Sequence, residues 1–146
     1  MRFTAGGSRT VKPEKLSLGQ RVAVLCRGVT VPRPESARQP ADLAPDCQRL
    51  SIQRYVHGIR LGAWVVDRGP KTPLVVLFHG YGAEKTSMIP QARMFLHMGA
   101  SVLLVDFRGS GESSESYTTI GFREADDVAH AVWYARELLP HSAVIL

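Results

Sequence analysis

A histidine and two glycines surround a tyrosine at residues 79–82, where the chain reads His79-Gly80-Tyr81-Gly82. Glycine lets the backbone turn sharply and present N–H groups without a Cβ in the way. Clustered N–H donors suit an anion, either a phosphate group or the oxyanion that forms when an acyl carbonyl is attacked. The segment is therefore a candidate anion site of one of these two kinds.

The spacing of neighbouring residues argues against the phosphate alternative. A P-loop requires Gly-Lys-Ser/Thr with another glycine five residues earlier, but Lys85 follows Glu84 and position 79 is histidine. A second glycine-containing segment, Gly109-Ser110-Gly111, lacks the third glycine of a dinucleotide fingerprint because position 114 is serine. Neither segment therefore matches a phosphate-binding motif.

Alternating and continuous apolar runs predict the elements that position these loops. A hairpin is expected over residues 51–56 and 59–67, reversing at His57-Gly58, and buried parallel strands over 74–78 and 101–105. A helix with Thr86 or Ser87 as N-cap, Pro90 in its first turn and Gly99 at its end separates those two strands. A second helix is expected over residues 120–139, followed by a third buried strand over 143–146. Its apolar stripe is predicted to comprise Phe122, Ala125, Val128, Ala129, Val132 and Trp133.

The order β-hairpin, then βαβαβ, predicts a layered α/β fold in which crossover helices join parallel strands. Ligands bind such sheets at the carboxyl ends of the strands, where residues 79–82 and 106–111 are expected to lie. The last predicted strand ends at Leu146 with apolar residues and no polar cap. We therefore expect the polypeptide to continue beyond it, and the exposed strand to favour aggregation or pairing of the chain alone.

Residues 1–48 are expected to form an N-terminal extension and Pro-rich arm, and residues 49–146 the main domain. Residues 1–13 are expected to fray, and prolines at 32, 34, 40 and 45 disfavour regular structure up to about residue 46. The apolar stretch between them, residues 15–31, is either a short helix or strand docked on the body or an anchor lying on a lipid surface.

Composition narrows the class of protein. The chain has 146 residues, is 45% hydrophobic and carries a net charge of +5. Its scattered arginines include no run typical of a nucleic-acid arm, so we expect no nucleic-acid partner. It has neither an apolar run long enough for a membrane span nor a signal-peptide core, and its two cysteines, Cys26 and Cys47, form no CxxC motif. A cytoplasmic protein is the expectation.

Three segments in this order resemble the amino-terminal half of an α/β-hydrolase. They are LVVLFHGYG at 74–82, SVLLVDFRGSGES at 101–113 and TTIGFREADDVAHAVWYAREL at 118–138. The resemblance covers residues 50–146 and is to the branch with serine aminopeptidase-like and monoacylglycerol lipase-like members. It implies a partial α/β-hydrolase fold that ends before the nucleophile elbow, no cofactor or metal, and a small acyl or peptide substrate in the full-length parent.

The resemblance also assigns residue roles. The backbone N–H of Tyr81 would be one oxyanion-hole donor, and His79, Gly80 and Gly82 would shape its loop. Shaping of the second loop would fall to Asp106, Arg108, Gly109 and Gly111, with Ser110 and Ser113 as ordinary loop residues. The alternative for His79 is a catalytic base, and the alternative for the Tyr81 side chain is a cover for the sheet end.

No serine in the chain has glycines at both −2 and +2, so the G-x-S-x-G elbow is absent from these residues. The resemblance places the nucleophile, acid and histidine of a Ser-His-Asp triad after residue 146. His97, His130 and His141 are expected on or beside helices, and neither cysteine is positioned by the sheet. We therefore expect a hydrolase of esters, with amides or peptides second, whose 146-residue chain is inactive alone. The competing interpretation is a non-catalytic remnant or a module completed by a partner.

Overall fold

A five-stranded mixed sheet forms the centre of the computed structural model, which describes residues 2–4, 16–28, 30–54 and 58–146. Its strands are β3 (Gln48–Arg54), β4 (Ile59–Val66), β5 (Leu74–Phe78), β6 (Ser101–Val105) and β7 (Val144–Ile145). Their spatial order is β3-β4-β6-β5-β7. The hairpin strands β3 and β4 are antiparallel, β4 is antiparallel to β6, and β5 is parallel to both β6 and β7. The predicted hairpin followed by parallel βαβαβ is confirmed; its turn at His57 lies outside the described residues.

The two central strands have their predicted bounds because each consists of four or five consecutive apolar residues, preceded in β6 by Ser101. All five residues of β6 are buried, as are the first three of β5. Side chains alternate between the two faces of the sheet and form two apolar clusters. One includes Val76, Leu103 and Val105 under the last helix, and the other includes Trp64, Val75 and Leu104 under the middle helix. Continuous burial on both faces is the state that favours such runs over alternating sequences.

The helix between β5 and β6, α2, spans Ile89–His97. Pro90 lies in its first turn and Gly99, with φ of 83°, follows its C-cap, as predicted. The predicted N-cap is wrong. Thr86 and Ser87 lie in a preceding 3-10 turn, Lys85–Met88, in which the Glu84 carboxylate accepts the Thr86 N–H and caps the turn instead.

The last helix, α3, spans Glu124–Leu138, four residues shorter at its start than predicted. Ile120 and Gly121 have φ values of 54° and 107°, which no α-helix accommodates. The predicted apolar stripe is also wrong, since Phe122, Ala125, Ala129 and Trp133 are exposed and Val128 and Val132 are half-buried. The face on the sheet instead carries Asp127, Ala131 and Ala135, with Tyr134 and Leu138 beside them.

The final strand, β7, lies at the edge of the sheet beside β5. Leu74 pairs with Val144 and Val75 with Ile145. The expectation of a buried third strand is wrong for this structure, because Val144 is half-buried and Ile145 and Leu146 are exposed.

The N-terminal extension contributes β1 (Arg2–Thr4), α1 (Leu18–Arg27) and β2 (Thr30–Pro32). β1 and β2 pair in parallel, and β1 also bridges to Tyr117. Fraying of residues 2–4 was therefore a wrong expectation, while residues 5–15 lie outside the described part of the chain. No helix among the described residues has the length and apolar character that crossing a bilayer requires.

Candidate active site

The two glycine-containing loops meet because β5 and β6 end at the same level. Phe78 and Val105, the last residues of these parallel strands, are register partners. His79 and Asp106 therefore emerge side by side at the carboxyl edge of the sheet, where open α/β folds bind ligands. Since β4 runs in the opposite direction, the Asp106 N–H donates to the Gly62 carbonyl at 2.9 Å, which holds the second loop against the hairpin.

The His79 ring links the two loops. Its Nε2 accepts the Phe107 backbone N–H at 3.1 Å, so this nitrogen carries no proton, and Nδ1 lies 2.9 Å from the Gly80 carbonyl, to which it donates. These contacts define a buried imidazole with both ring nitrogens hydrogen-bonded to the backbone. The geometry favours loop shaping over a catalytic base, which needs a free lone pair directed at the nucleophile.

Asp106 is fully buried and receives three hydrogen bonds from the two loops. Its Oδ1 accepts the Lys85 N–H at 2.7 Å, and its Oδ2 accepts the Lys85 Nζ at 2.5 Å and the Glu112 N–H at 2.9 Å. The Lys85 ammonium, also buried, lies 3.1 Å from the Glu112 carboxylate and 5.0 Å from the centre of the Trp64 ring. A buried ion pair thus ties the end of the first loop to the second.

Arg108 anchors the second loop to α3. Its guanidinium donates to both carboxylate oxygens of Asp127, at 3.0 and 2.6 Å, and to the Arg123 carbonyl at 3.0 Å. Both charged side chains are almost fully buried. The hydrogen bonds that Arg108 donates to Asp127 are the main cause that raises the pKa of Arg108, so the guanidinium stays charged.

Gly111 is required by the close approach of the Asp106 carboxylate. A Cβ at this position, where φ is 47°, would lie 2.2 Å from Asp106 Oδ2. The neighbouring Gly109 is similarly crowded, since its Cβ would lie 2.7 Å from the Phe3 ring. Gly82 has a φ of 72° and open space around it, so glycine is favoured there by the backbone conformation and not by a close neighbour.

We expect Gly111→Ala to lower the free energy of unfolding by about 1–3 kcal/mol, because the new methyl group displaces the buried carboxylate. The matched control is Gly80→Ala, where a Cβ meets nothing within 4 Å and no positive φ is imposed. Urea titration of both variants measures the difference. Equal stability of the two would show that the Asp106 contact is not rigid.

The Pro-rich arm closes over the second loop through Arg33. Its guanidinium donates to the backbone carbonyls of Gly111 at 3.1 Å, of Glu115 at 2.8 Å and of Ser113. In return the Gly111 N–H donates to the Pro34 carbonyl at 2.9 Å. The arm therefore satisfies backbone carbonyls of a loop that has no regular partner strand.

A cavity of about 190 Å³ opens between these loops and the start of α3. It is lined by Phe3, His79, Gly80, Tyr81, Gly82, Phe107, Arg108, Ser110, Thr118, Ile120, Gly121 and Glu124. Tyr81, one of these lining residues, is 60% exposed. Aromatic and aliphatic walls beside a glycine-rich loop suit a small apolar group attached to a polar head.

The Glu124 carboxylate fixes the segment before α3, residues 118–121, which forms one wall of this cavity. It accepts hydrogen bonds from the hydroxyls of Thr118 and Thr119 at 2.7 and 2.6 Å, and from the N–H groups of Thr119 and Gly121, both at 2.9 Å. Burial by itself would raise the pKa of Glu124, but the hydrogen bonds from Thr119 and Thr118 outweigh it and lower the pKa to about 2.

A lowered pKa makes the Glu124 contribution to stability pH-dependent. The contribution is present above the ordinary value of 4.5 and is lost as the pH falls through about 2. We expect Glu124→Gln to lower the free energy of unfolding by about 2–3 kcal/mol at neutral pH, with the deficit shrinking between pH 4.5 and 2. Urea unfolding across this range, with the exposed Glu137→Gln on the same helix as control, measures it. A deficit that stays constant down to the acid limit would contradict the assignment.

Other candidate reactive groups lie away from a catalytic arrangement. The Ser113 hydroxyl accepts the Gly62 N–H at 2.9 Å and donates to the Asp106 carbonyl at 2.7 Å, and Ser110 is buried in the cavity wall. Burial, with Asp46 adding to it, raises the pKa of Cys47 to about 11, which keeps its thiol protonated. Cys26 is exposed on α1.

The other three histidines considered as candidates, His97, His130 and His141, do not line the cavity. His97 contacts the Arg93 carbonyl on α2, His130 contacts the Gln53 carbonyl beside Trp133, and His141 is exposed after α3. Among the described histidines, His79 alone belongs to the cavity wall.

Sequence reasoning missed three residues that organise the site. Lys85 was considered only as a P-loop lysine, because its ion-pair partner Asp106 is 21 residues away and gives no local signal. Glu124 lies in the second predicted helix, and no motif singled it out. Arg33, distant in sequence, has no local signal, because its role depends on carbonyls 78 to 82 residues away.

Comparison with known proteins agrees with this architecture. Residues 73–146 match the model of the alpha/beta hydrolase fold family. An esterase from Pyrococcus furiosus superposes with a TM-score of 0.68 and 27% sequence identity, covering 77% of this chain and 46% of the esterase chain. A serine hydrolase without a lid from Xanthomonas campestris, 22% identical with a TM-score of 0.56, shares the fold over 68% of this chain and 48% of its own. No curated protein matches significantly.

The chain thus spans slightly less than half the length of the esterase, and 43% in two other crystal forms of it. The family match covers half of the 146 residues, including both loops of the cavity. The chain is therefore a member of the alpha/beta hydrolase fold family.

Proposed function

We propose that this chain supplies the oxyanion side of an active site that hydrolyses esters, with amide or peptide bonds as the second substrate class. The observation that carries the proposal is the cavity at the ends of β5 and β6, bounded by the Tyr81 loop and by apolar walls. The esterase from Pyrococcus furiosus, at 27% identity, supports ester cleavage. The resemblance of residues 50–146 to serine aminopeptidase-like and monoacylglycerol lipase-like enzymes supports the same reaction class.

The proposed reaction proceeds through an acyl-enzyme. A serine hydroxyl, deprotonated by a histidine, attacks the ester carbonyl, and the carbonyl oxygen becomes an oxyanion in the tetrahedral intermediate. The Tyr81 N–H donates to that oxygen together with the N–H of the residue after the nucleophile. Collapse expels the alcohol, which takes a proton from the histidine, and water then releases the acid by the reverse sequence.

The 146 residues provide the first donor and its supports but no nucleophile elbow. We therefore assign the serine, histidine and acid of the triad to polypeptide outside these residues. Without them nothing attacks the carbonyl, so the 146-residue chain is expected to give no turnover of a short-chain p-nitrophenyl ester and no stoichiometric labelling by a fluorophosphonate probe. Labelling that persists after Cys26→Ala and Cys47→Ala would contradict this assignment.

The first test is the coding sequence after the Leu146 codon, read in all three frames. A G-x-S-x-G motif within about ten residues supports the enzyme. An authentic stop codon contradicts it and favours the non-catalytic alternative, a remnant or a module completed by a partner.

The oxyanion role predicts an effect of the Tyr81 backbone that the side chain does not share. In the protein that carries the elbow, Tyr81→Pro removes the N–H and is expected to lower kcat about 100- to 1000-fold, whereas Tyr81→Phe keeps the N–H and leaves kcat within about twofold. Steady-state kinetics with a p-nitrophenyl ester measures both. Equal kcat values for the two variants would show that the Tyr81 N–H is not an oxyanion-hole donor. Circular dichroism and urea titration show that each variant folds.

A further inference from the structure

Helix α1 presents an apolar face that nothing in the described part of the chain covers. Leu18, Val22 and Leu25, at positions i, i+4 and i+7, are 80%, 60% and 84% exposed. This spacing places them on one side of the helix. Side chains on a buried core face would have exposed fractions near zero. These three side chains therefore do not dock α1 on the hydrolase sheet.

The helix is nevertheless specified by its sequence. Ser17 and Gln20 form a capping box, in which the Ser17 hydroxyl accepts the Gln20 N–H at 3.4 Å and the Gln20 side chain accepts the Ser17 N–H at 2.9 Å. A ten-residue helix is marginal in water on its own, and packing of an apolar face normally stabilises it. A surface that buries Leu18, Val22 and Leu25 would supply that stabilisation.

Charge identifies the kind of surface. Residues 15–32 contain no Asp or Glu and carry three cations, Lys15, Arg21 and Arg27. Two copies of α1 packed face to face would bring together cations with no acidic partner on either helix. An anionic lipid surface instead accepts the apolar side chains between its headgroups and pairs its phosphates with the flanking arginines.

We propose that α1 is an amphipathic anchor that lies in the interface of an anionic membrane, with Leu18, Val22 and Leu25 inserted. The strand β2 follows α1 directly, and Arg33 beside it holds the loop after β6 by three carbonyls. An anchored α1 therefore holds the hydrolase sheet at the membrane surface. This function is independent of whether the chain takes part in hydrolysis.

The test is flotation of the full 146-residue chain with vesicles of phosphatidylcholine alone and of equimolar phosphatidylcholine and phosphatidylglycerol. Flotation separates vesicle-bound protein from aggregated protein, which sediments. The wild-type chain is expected to float with the anionic vesicles and not with the neutral ones. Raised salt is expected to weaken binding because it screens the arginines.

Variants separate the apolar contribution from the charged one. Leu18→Gln/Val22→Gln/Leu25→Gln keeps good helix formers and is expected to weaken binding at least about tenfold. Arg21→Gln is expected to weaken it about fivefold. The matched control, Phe122→Gln/Trp133→Gln, removes two other exposed apolar side chains on the hydrolase body and is expected to leave binding unchanged.

A second measurement reports the environment of α1 directly. Cys26 is exposed on this helix, so a polarity-sensitive fluorophore attached there in a Cys47→Ala chain is expected to shift to the blue with anionic vesicles. Three outcomes would overturn the proposal. They are failure of the wild-type chain to float, flotation of the triple glutamine variant at the wild-type level, and self-association in sedimentation velocity that the triple variant abolishes without any vesicle binding.

Discussion

Arg108→Ala is expected to lower the free energy of unfolding by about 3–5 kcal/mol, because it leaves the Asp127 carboxylate buried without its partner. The two side chains are 2% and 3% exposed and share two hydrogen bonds. The Arg123 carbonyl also loses its donor. The cost arises from an uncompensated charge rather than from lost Coulomb energy, so it should exceed that of any exposed ion pair in the chain.

Urea titration followed by circular dichroism measures this loss. Arg136→Ala, on the exposed side of the same helix, is the matched control and is expected to change stability by less than about 0.5 kcal/mol. Arg108→Met/Asp127→Leu removes both charges and is expected to be less destabilising than Arg108→Ala. If the double variant is the less stable of the two, the buried-charge explanation is wrong.

Lys85→Met is expected to cost a similar amount, about 3–5 kcal/mol, since it leaves Asp106 fully buried without a cation. The methionine fills much of the space of the lysine stem, so the loss reports the ammonium contact with Asp106 and Glu112 rather than a void. The Lys85 N–H bond to Asp106 remains in the variant.

Hydrogen exchange locates the effect of Lys85→Met. The backbone amides that Asp106 binds, those of Lys85 and Glu112, are expected to exchange faster, while the amides of α3 are not selectively affected. Lys71→Met, at an exposed lysine, is the matched control and should leave both stability and exchange unchanged. Unaltered exchange at the Asp106 partners in a destabilised Lys85→Met chain would contradict the role given to this pair.

The pair has a consequence for the proposed hydrolysis. The Tyr81 loop is held at its start by His79, which bonds the Phe107 N–H, and at its end by Lys85. An oxyanion donor is useful only when it is held in place before the reaction. In the protein that carries the elbow, Lys85→Met should therefore lower kcat more than it raises KM.

Predictions from local pattern were accurate where local energetics dominate. The runs at 74–78 and 101–105 became β5 and β6 with unchanged bounds, because four or five consecutive apolar residues favour a strand buried on both faces. Pro90 and Gly99 were placed correctly because each satisfies a conformational need of its own backbone. The capping box at Ser17 and Gln20 was readable in the same way but was not used to decide between helix and strand.

Predictions failed where a distant partner decides. The start of α3 moved to Glu124 because its carboxylate gathers the hydroxyls and N–H groups of residues 118–121, which holds Ile120 at positive φ. The buried face of α3 contains Asp127, whose partner Arg108 is 19 residues away. It also contains the small Ala131 and Ala135, which allow close approach to the sheet. Hydrophobicity alone therefore selected the wrong stripe.

Residue order alone was enough to establish the layered α/β class, the two loops at the strand ends and the absence of a nucleophile elbow, because periodicity and glycine spacing are local properties of the chain. Folding in three dimensions decided which groups those loops use to hold one another. The ion pairs of Lys85 and Arg108 and the hydrogen bonds of Arg33 to three carbonyls each depend on residues far apart in sequence. Such contacts form only once the sheet brings their elements together, so no local pattern encodes them.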